Sequence, residues 1–136
     1  MSLATESISS LRSKLTSGDI CPSDILDSLS KNIASSDVGA YLSHDIEAAK
    51  LEAKDVDLTK PLGGIPIGIK DNINVSGQPC SCASRFLENA YSAPYDATVI
   101  SKLRSAGALP FGRMNMDEFA VGSTTENSAI GQTVNP

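Results

Sequence analysis

Apolar positions first recur at helical spacing. Ile8, Leu11 and Leu15, closed by Gly18, predict a short helix. A stronger stripe follows, in which Ile25, Leu26, Leu29 and Ile33 share one face, Pro22 suits a first helical position and Asp24 suits the positive end of the helix dipole. The opening residues, MSLATES, carry no such pattern, and no element is assigned to them. AYL at 40–42 is a short strand candidate. It leads into SHDIEAAKLEAKDVD at 43–57, which predicts a surface helix with Ile46, Ala49, Ala53 and Val56 on a narrow buried face.

The period then changes from helical to two. In PLGGIPIGIKDNINV, residues 61–75, Ile65, Ile67 and Ile69 point one way while Pro66, Gly68 and Lys70 point the other, the alternation of a strand. After a Cys-, Ser- and Gly-rich connection, Asp96 is placed to cap a helix that buries Val99, Ile100, Leu103 and Ala106 and closes at Gly107. ALPFG at 108–112 forms the next strand. Strand, helix, strand in this order predicts a crossover unit and an α/β sheet. Asn115 with Glu118 three residues on has the spacing of a capping box opening a short helix, MDEFAV, on which Met116 and Phe119 are expected to pack. The last fifteen residues, GSTTENSAIGQTVNP, hold only Ile130 and Val134 as large aliphatics, so a functional loop or a disordered end is expected there.

Composition narrows the class. A chain of 136 residues is one ordinary domain or a piece of one, and 40% hydrophobic with 20% charged residues suits a globular fold rather than disorder. The net charge of −5 leaves no basic surface of the kind that neutralises phosphates. No apolar run approaches the roughly 20 residues that span a bilayer, and the N-terminus lacks the order of a secretion signal, so no membrane contact and a cytoplasmic location are expected. Cys21, Cys80 and Cys82 form an odd set without CxxC spacing, which argues against a disulfide framework and against a metal site. His44, the only histidine, falls at a helix start and is read as a surface or capping residue.

Lys70 is where chemistry enters. A lysine at a strand end most simply caps a sheet edge in water. Its neighbours on the same face, Pro66 and Gly68, have little bulk and leave room for another backbone or a substrate. Were the isoleucine framework to desolvate the amine, the neutral form that a general base needs would be favoured. Asp71 and Asn72 are expected to hold the backbone around it by local hydrogen bonds.

Three blocks in order and spacing, GGIPIGIKDNINVSG, YDATVISKLRSAGA and NMDEFAVGSTTENSAIGQTVNP, resemble the N-terminal third of the amidase signature family. Within it they are most similar to the branch of A subunits of glutamine-dependent aspartyl/glutamyl-tRNA amidotransferases. The resemblance implies an α/β fold with a mixed central sheet. Residues 1–136 would be the N-terminal part of a single amidase domain, its first helices and strands, ending before a Gly/Ser-rich catalytic segment. It further implies a Ser–cis-Ser–Lys triad in which Lys70 is the lysine and both serines lie beyond residue 136, so that these residues alone are expected to be inactive. Val121, Gly122 and Ser123 match the segment that lines the amide pocket.

The full protein would release ammonia from the glutamine side chain for other amidotransferase subunits that convert Glu-tRNA(Gln) or Asp-tRNA(Asn). No cofactor is expected in this chain, with ATP and magnesium implied for a partner subunit. Two departures stand out: Arg113 occupies a position where the family often has lysine, and Val121 one where the tRNA-linked branch often has methionine. Ser123, Thr124, Thr125 and Ser128 lack a GxSxG-type elbow and are not read as nucleophiles. Two alternatives remain: a stand-alone amidase for small amides, and a non-enzymatic α/β interaction module in which Lys70 is only a surface charge. Exposed sheet edges lead us to expect self-association.

Overall fold

The computed structural model describes residues 2–136, which form two compact units. The first comprises residues 2–36, Asp45–Ile67 and Lys102–Phe111; the second comprises Asp37–His44, Gly68–Ser101 and Gly112–Pro136.

The first unit is largely helical. Ser7 accepts the Ser10 backbone N–H at 3.2 Å and opens α1 (Ile8–Ser17), which Gly18 ends in the left-handed conformation. Leu11 and Leu15 are buried, but Ile8 faces water. α2 (Pro22–Ala34) starts where Asp24 Oδ2 accepts the Cys21 backbone N–H at 2.7 Å, and it fully buries Ile25 and Leu26. α3 (Ile46–Ala53) is capped by Asp45, which accepts the Ala48 N–H at 2.9 Å. Asp45, and not the preceding His44, is therefore the cap. The helix is shorter than its apolar spacing predicts. Beyond it, Asp57 Oδ1 accepts both the N–H (2.9 Å) and the hydroxyl (2.6 Å) of Thr59, a local turn that competes with helix. Val56 still reaches the core, from the connection instead of from the helix.

Two apolar clusters hold this unit together. One packs Leu26, Ala49, Ala53, Leu109 and Phe111; the other packs Leu11, Leu15, Ile25 and Ile65. Leu3, from an unpredicted 3-10 turn at Leu3–Thr5, joins the second cluster. Each fully buried leucine or isoleucine contributes about 1.5–3 kcal/mol by leaving water.

The sheet contains β1 (Tyr41–Ser43), β2 (Pro66–Lys70) and β3 (Leu109–Met114) in the order β1-β3-β2. β1 is antiparallel to β3, with Tyr41 opposite Met114 and Ser43 opposite Arg113. β2 runs parallel to β3: the Leu109 N–H donates to the Ile65 carbonyl, and the Asp71 N–H donates to that of Met114. The strand–helix–strand crossover thus matches the pattern in the sequence, and the mixed sheet matches what the family resemblance implies. Between β2 and β3 lies α4 (Thr98–Ser105), which buries Ile100 completely and leaves Val99 about half exposed. Adjacent helical residues lie about 100° apart, so one narrow stripe cannot bury both. Asp96, placed to cap α4, spends one carboxylate oxygen on the Ser76 N–H at 2.7 Å.

β3 continues two residues past the predicted end and takes in Arg113 and Met114. The helix expected at MDEFAV is absent; a single 3-10 turn, Glu118–Ala120, stands there, with Phe119 and Ala120 at positive φ. Of its two expected packing residues, Met116 is buried and Phe119 is half exposed. Residues 122–136 are folded back onto the second unit, where the Val134 N–H donates to the Val38 carbonyl at 2.9 Å. No helix among the described residues is long and apolar enough to cross a membrane.

Candidate active site

Lys70 ends β2 and is exposed, as is Gly68 two residues earlier. The desolvation expected of its amine is therefore not supplied by the surrounding residues. The space over Gly68 is filled by Met114: a Cβ there would lie 2.7 Å from the Met114 sulfur. The small-residue face thus admits a neighbouring strand's side chain.

The residue after Lys70 organises the surroundings. Asp71 is 2% exposed and every polar group it has is engaged. Its N–H donates to Met114 O, while its carbonyl accepts the Cys82 N–H at 3.2 Å and the Cys80 thiol at 3.2 Å. Carboxylate Oδ2 accepts the Ser81 N–H (3.0 Å), the Ser81 hydroxyl (2.6 Å) and the Ala83 N–H (3.2 Å). Oδ1 accepts Arg113 Nε at 3.0 Å in an ion pair whose partners are both nearly fully buried. Arg113 Nη2 also donates to the Ile73 carbonyl at 2.7 Å, whereas Nη1 is buried without a partner among the described residues.

The 81–84 segment that Asp71 holds is unusual in itself. Cys82 and Ala83 have φ of 53° and 52°, a left-handed conformation unfavourable for residues with a Cβ. Their carbonyls accept the N–H groups of Phe119 (3.1 Å) and Ala129 (3.1 Å), and Ser84 Oγ donates to Glu118 Oε1 at 2.5 Å. Burial pushes the Cys80 and Cys82 thiols up, with the Asp71 charge acting in the same direction, so both stay protonated. No group of three or more His, Cys, Asp or Glu among the described residues is arranged to hold a metal ion.

A second buried carboxylate shapes the loop carrying Val121, Gly122 and Ser123. Asp117 accepts the N–H groups of Asn127 (2.8 Å), Thr125 (2.9 Å) and Thr124 (3.0 Å). Those bonds, the one from Asn127 foremost, hold its carboxyl below the usual range. Gly122, at φ 145°, lets the chain pass against this group: a Cβ would stand 2.5 Å from Asp117 Cγ. Val121 and Ser123 are exposed on the same loop. Asn115 pins the far end, with Nδ2 donating to Gly131 O (2.7 Å) and Gly39 O (3.0 Å) and Oδ1 accepting Ser128 Oγ (2.8 Å). Asn115 and Glu118 therefore serve distant partners and form no capping box.

Lys70 and the 121–123 loop thus belong to one unit and are joined through Asp71, segment 81–84 and the 117–119 turn. Thr124, Thr125 and Ser128 direct their hydroxyls to Glu126, the Thr124 carbonyl and Asn115 respectively, each a structural bond. His44 is exposed and stacks edge-on against Tyr41, with ring centroids 6.2 Å apart. Sequence alone suggests only a local role for Asp71 and none for Asp117. Their partners lie as far as 42 residues away, and no short motif encodes that pairing.

Comparison with known proteins agrees with this organisation. The chain is 50% identical over 138 aligned residues to the A subunit of the glutamyl-tRNA(Gln) amidotransferase of Methylacidiphilum infernorum, covering 100% of this chain and 28% of that protein. It is similar to the crystal structure of the corresponding Thermotoga maritima protein, with 39% identity, a TM-score of 0.58, and coverage of 72% of this chain and 20% of that one. A solved amidase matches with 31% identity and a TM-score of 0.81, over 96% of this chain and 31% of its own. The chain spans less than a third of the length of each of these relatives. With a family model for amidase matching residues 24–136, and the same mixed α/β arrangement in solved members, the chain belongs to the amidase family.

Proposed function

We propose that the full-length protein is the A subunit of a tRNA-dependent amidotransferase, hydrolysing the side-chain amide of glutamine to supply ammonia. The observation that carries this reading is the 50% identity, across the entire chain, to the A subunit of a glutamyl-tRNA(Gln) amidotransferase. In this reading Lys70, once covered by the rest of the protein, is the neutral base. It accepts, through a bridging serine, the proton of a serine nucleophile, and both serines lie outside residues 1–136. The nucleophile attacks the amide carbon, ammonia leaves, and water releases glutamate from the acyl-enzyme. Val121, Gly122 and Ser123 line the amide pocket, on a loop whose shape Asp117 sets. Other subunits of the assembly bind ATP and magnesium and transfer the ammonia to Glu-tRNA(Gln) or Asp-tRNA(Asn); this chain contributes no cofactor.

The test is ammonia release from glutamine by the full-length protein carrying Lys70→Ala. Loss of a general base lowers turnover by roughly 10²–10⁴. Turnover equal to that of the unaltered protein would remove Lys70 from the mechanism.

A further inference from the structure

We propose that Asp71 and Arg113 are a positioning pair: together they fix the backbone that presents Lys70 and, through segment 81–83, both ends of the loop at 119–129. The proposal rests on the reading of Lys70 as the base.

Two features of the local geometry support it. Arg113 grips the chain around Asp71, with Nη2 2.7 Å from the Ile73 carbonyl and 3.5 Å from that of Lys70, while Nε holds the intervening carboxylate. Asp71 has its N–H, its carbonyl and both carboxylate oxygens engaged at once, so it cannot turn without breaking several bonds. A base whose peptide neighbour is locked in this way has a fixed point of origin, although its own side chain extends freely from an exposed strand end.

The pair also acts at a distance. Cys82 and Ala83 adopt a left-handed conformation that neither residue prefers, and Asp71 holds them there by accepting the N–H groups of Ser81, Cys82 and Ala83. The carbonyls thereby presented accept the Phe119 and Ala129 N–H groups, the two ends of the loop that carries Val121, Gly122 and Ser123. Removing the charge relaxes 81–83 and loosens that loop. A pair that served only stability would need no such links to both site segments.

Asp71→Asn is the informative change. Every partner of both carboxylate oxygens is a donor, so either orientation of an asparagine side chain turns its NH₂ toward a donor. In the full-length protein, with glutamine as substrate and ammonia release as the readout, Asp71→Asn is expected to lower kcat by roughly 10–100-fold, as a base displaced by about 1 Å does. KM is expected to rise roughly threefold or more. In a Lys70→Ala background the kcat effect should shrink to within about twofold, since the pair acts through Lys70, while the KM effect persists.

Equal kcat losses in both backgrounds with unchanged KM would overturn the proposal, because that is what a smaller folded fraction produces. Should Lys70→Ala alone leave kcat intact, the reading of Lys70 fails, and the KM effect still decides whether the pair holds the loop. Arg113→Lys, which keeps the charge, should stay within about fivefold of the parent, and Arg113→Met should reproduce the kcat loss of Asp71→Asn with a smaller KM effect, since the carboxylate keeps its bonds to Ser81 and Ala83. Parental kinetics in Arg113→Met would sink the pair. Should Asp71→Asn not fold, Asp71→Glu, which moves the carboxylate by one methylene, is measured in the same way and held to the same outcomes.

Discussion

Arg113→Met replaces a fully buried guanidinium by a shorter apolar side chain that ends near the position of Nε. It removes the 3.0 Å bond to Asp71 and the 2.7 Å bond to the Ile73 carbonyl. Breaking a buried ion pair by deleting one partner costs about 3–5 kcal/mol, because the other charge stays buried without its counter-ion. Here the remaining partner is better provided for than most. Asp71 keeps the Ser81 N–H, the Ser81 hydroxyl and the Ala83 N–H, which places the loss at the low end of that range. The freed Ile73 carbonyl adds about 1 kcal/mol or more. Against this, Arg113 Nη1 has no hydrogen-bond partner among the described residues, so removing the guanidinium gives back part of its desolvation cost. We expect a net loss of about 3 kcal/mol.

Urea unfolding of the 136-residue chain, followed by circular dichroism, measures it. With a slope near 2 kcal/mol per molar urea, the midpoint should fall by about 1.5 M. A second ion pair serves as the control: Lys50 and Asp27 approach to 2.6 Å, but Asp27 is half exposed and Lys50 partly so. Lys50→Met should leave the midpoint nearly unmoved, since water screens such pairs. A loss below about 1 kcal/mol for Arg113→Met, or equal shifts for both variants, would refute the assignment of Asp71 and Arg113 as a buried anchor.

Three further outcomes are expected. Gly122→Ala forces a Cβ to within 2.5 Å of Asp117 Cγ at a φ of 145°, and should cost about 1–3 kcal/mol in the same assay; an unchanged midpoint would contradict the close approach. The amides that hold the Asp117 carboxyl low give a stabilisation that is complete above the unfolded value of about 3.9 and is lost as pH falls through the lower folded value. The stability gap between the parent and Asp117→Asn should therefore narrow on acidification below about pH 4, and a gap constant from about pH 6 to pH 2 would refute it. Both outer strands of the β1-β3-β2 sheet are edges, and Phe86, Phe119 and Val121 are exposed, so light scattering after size exclusion should find dimers or larger species of the 136-residue chain. A clean monomer would contradict this.

What the sequence reveals and what it hides divide along physical lines. α2 was legible because its first-turn proline, its first-turn acid and its apolar stripe are all local and all agree. β2 was legible because an alternation of isoleucine with small residues has no helical alternative. Failures came where a local signature had a distant competitor. Asn115 and Glu118 have capping-box spacing, yet Asn115 is bound to Gly39, Gly131 and Ser128 and Glu118 to Ser84, and the helix that both would open does not form. The polar stretch 122–136 reads as loose by composition. It is ordered because one carboxylate, Asp117, gathers three of its amides.

Lys70 shows the same limit at the site itself. Its place at the end of a strand follows from periodicity, whereas its exposure depends on what covers the strand face, which no alternation pattern encodes. The sequence treats Arg113 only as a departure from a common lysine. The structure gives that departure a physical reading: a planar guanidinium binds a carboxylate through one nitrogen and a carbonyl through another, two bonds on a rigid fork that an ammonium, a single point charge, cannot reproduce in the same geometry. An arginine here therefore fixes the backbone on both sides of Asp71, and Lys70 emerges from that fixed backbone.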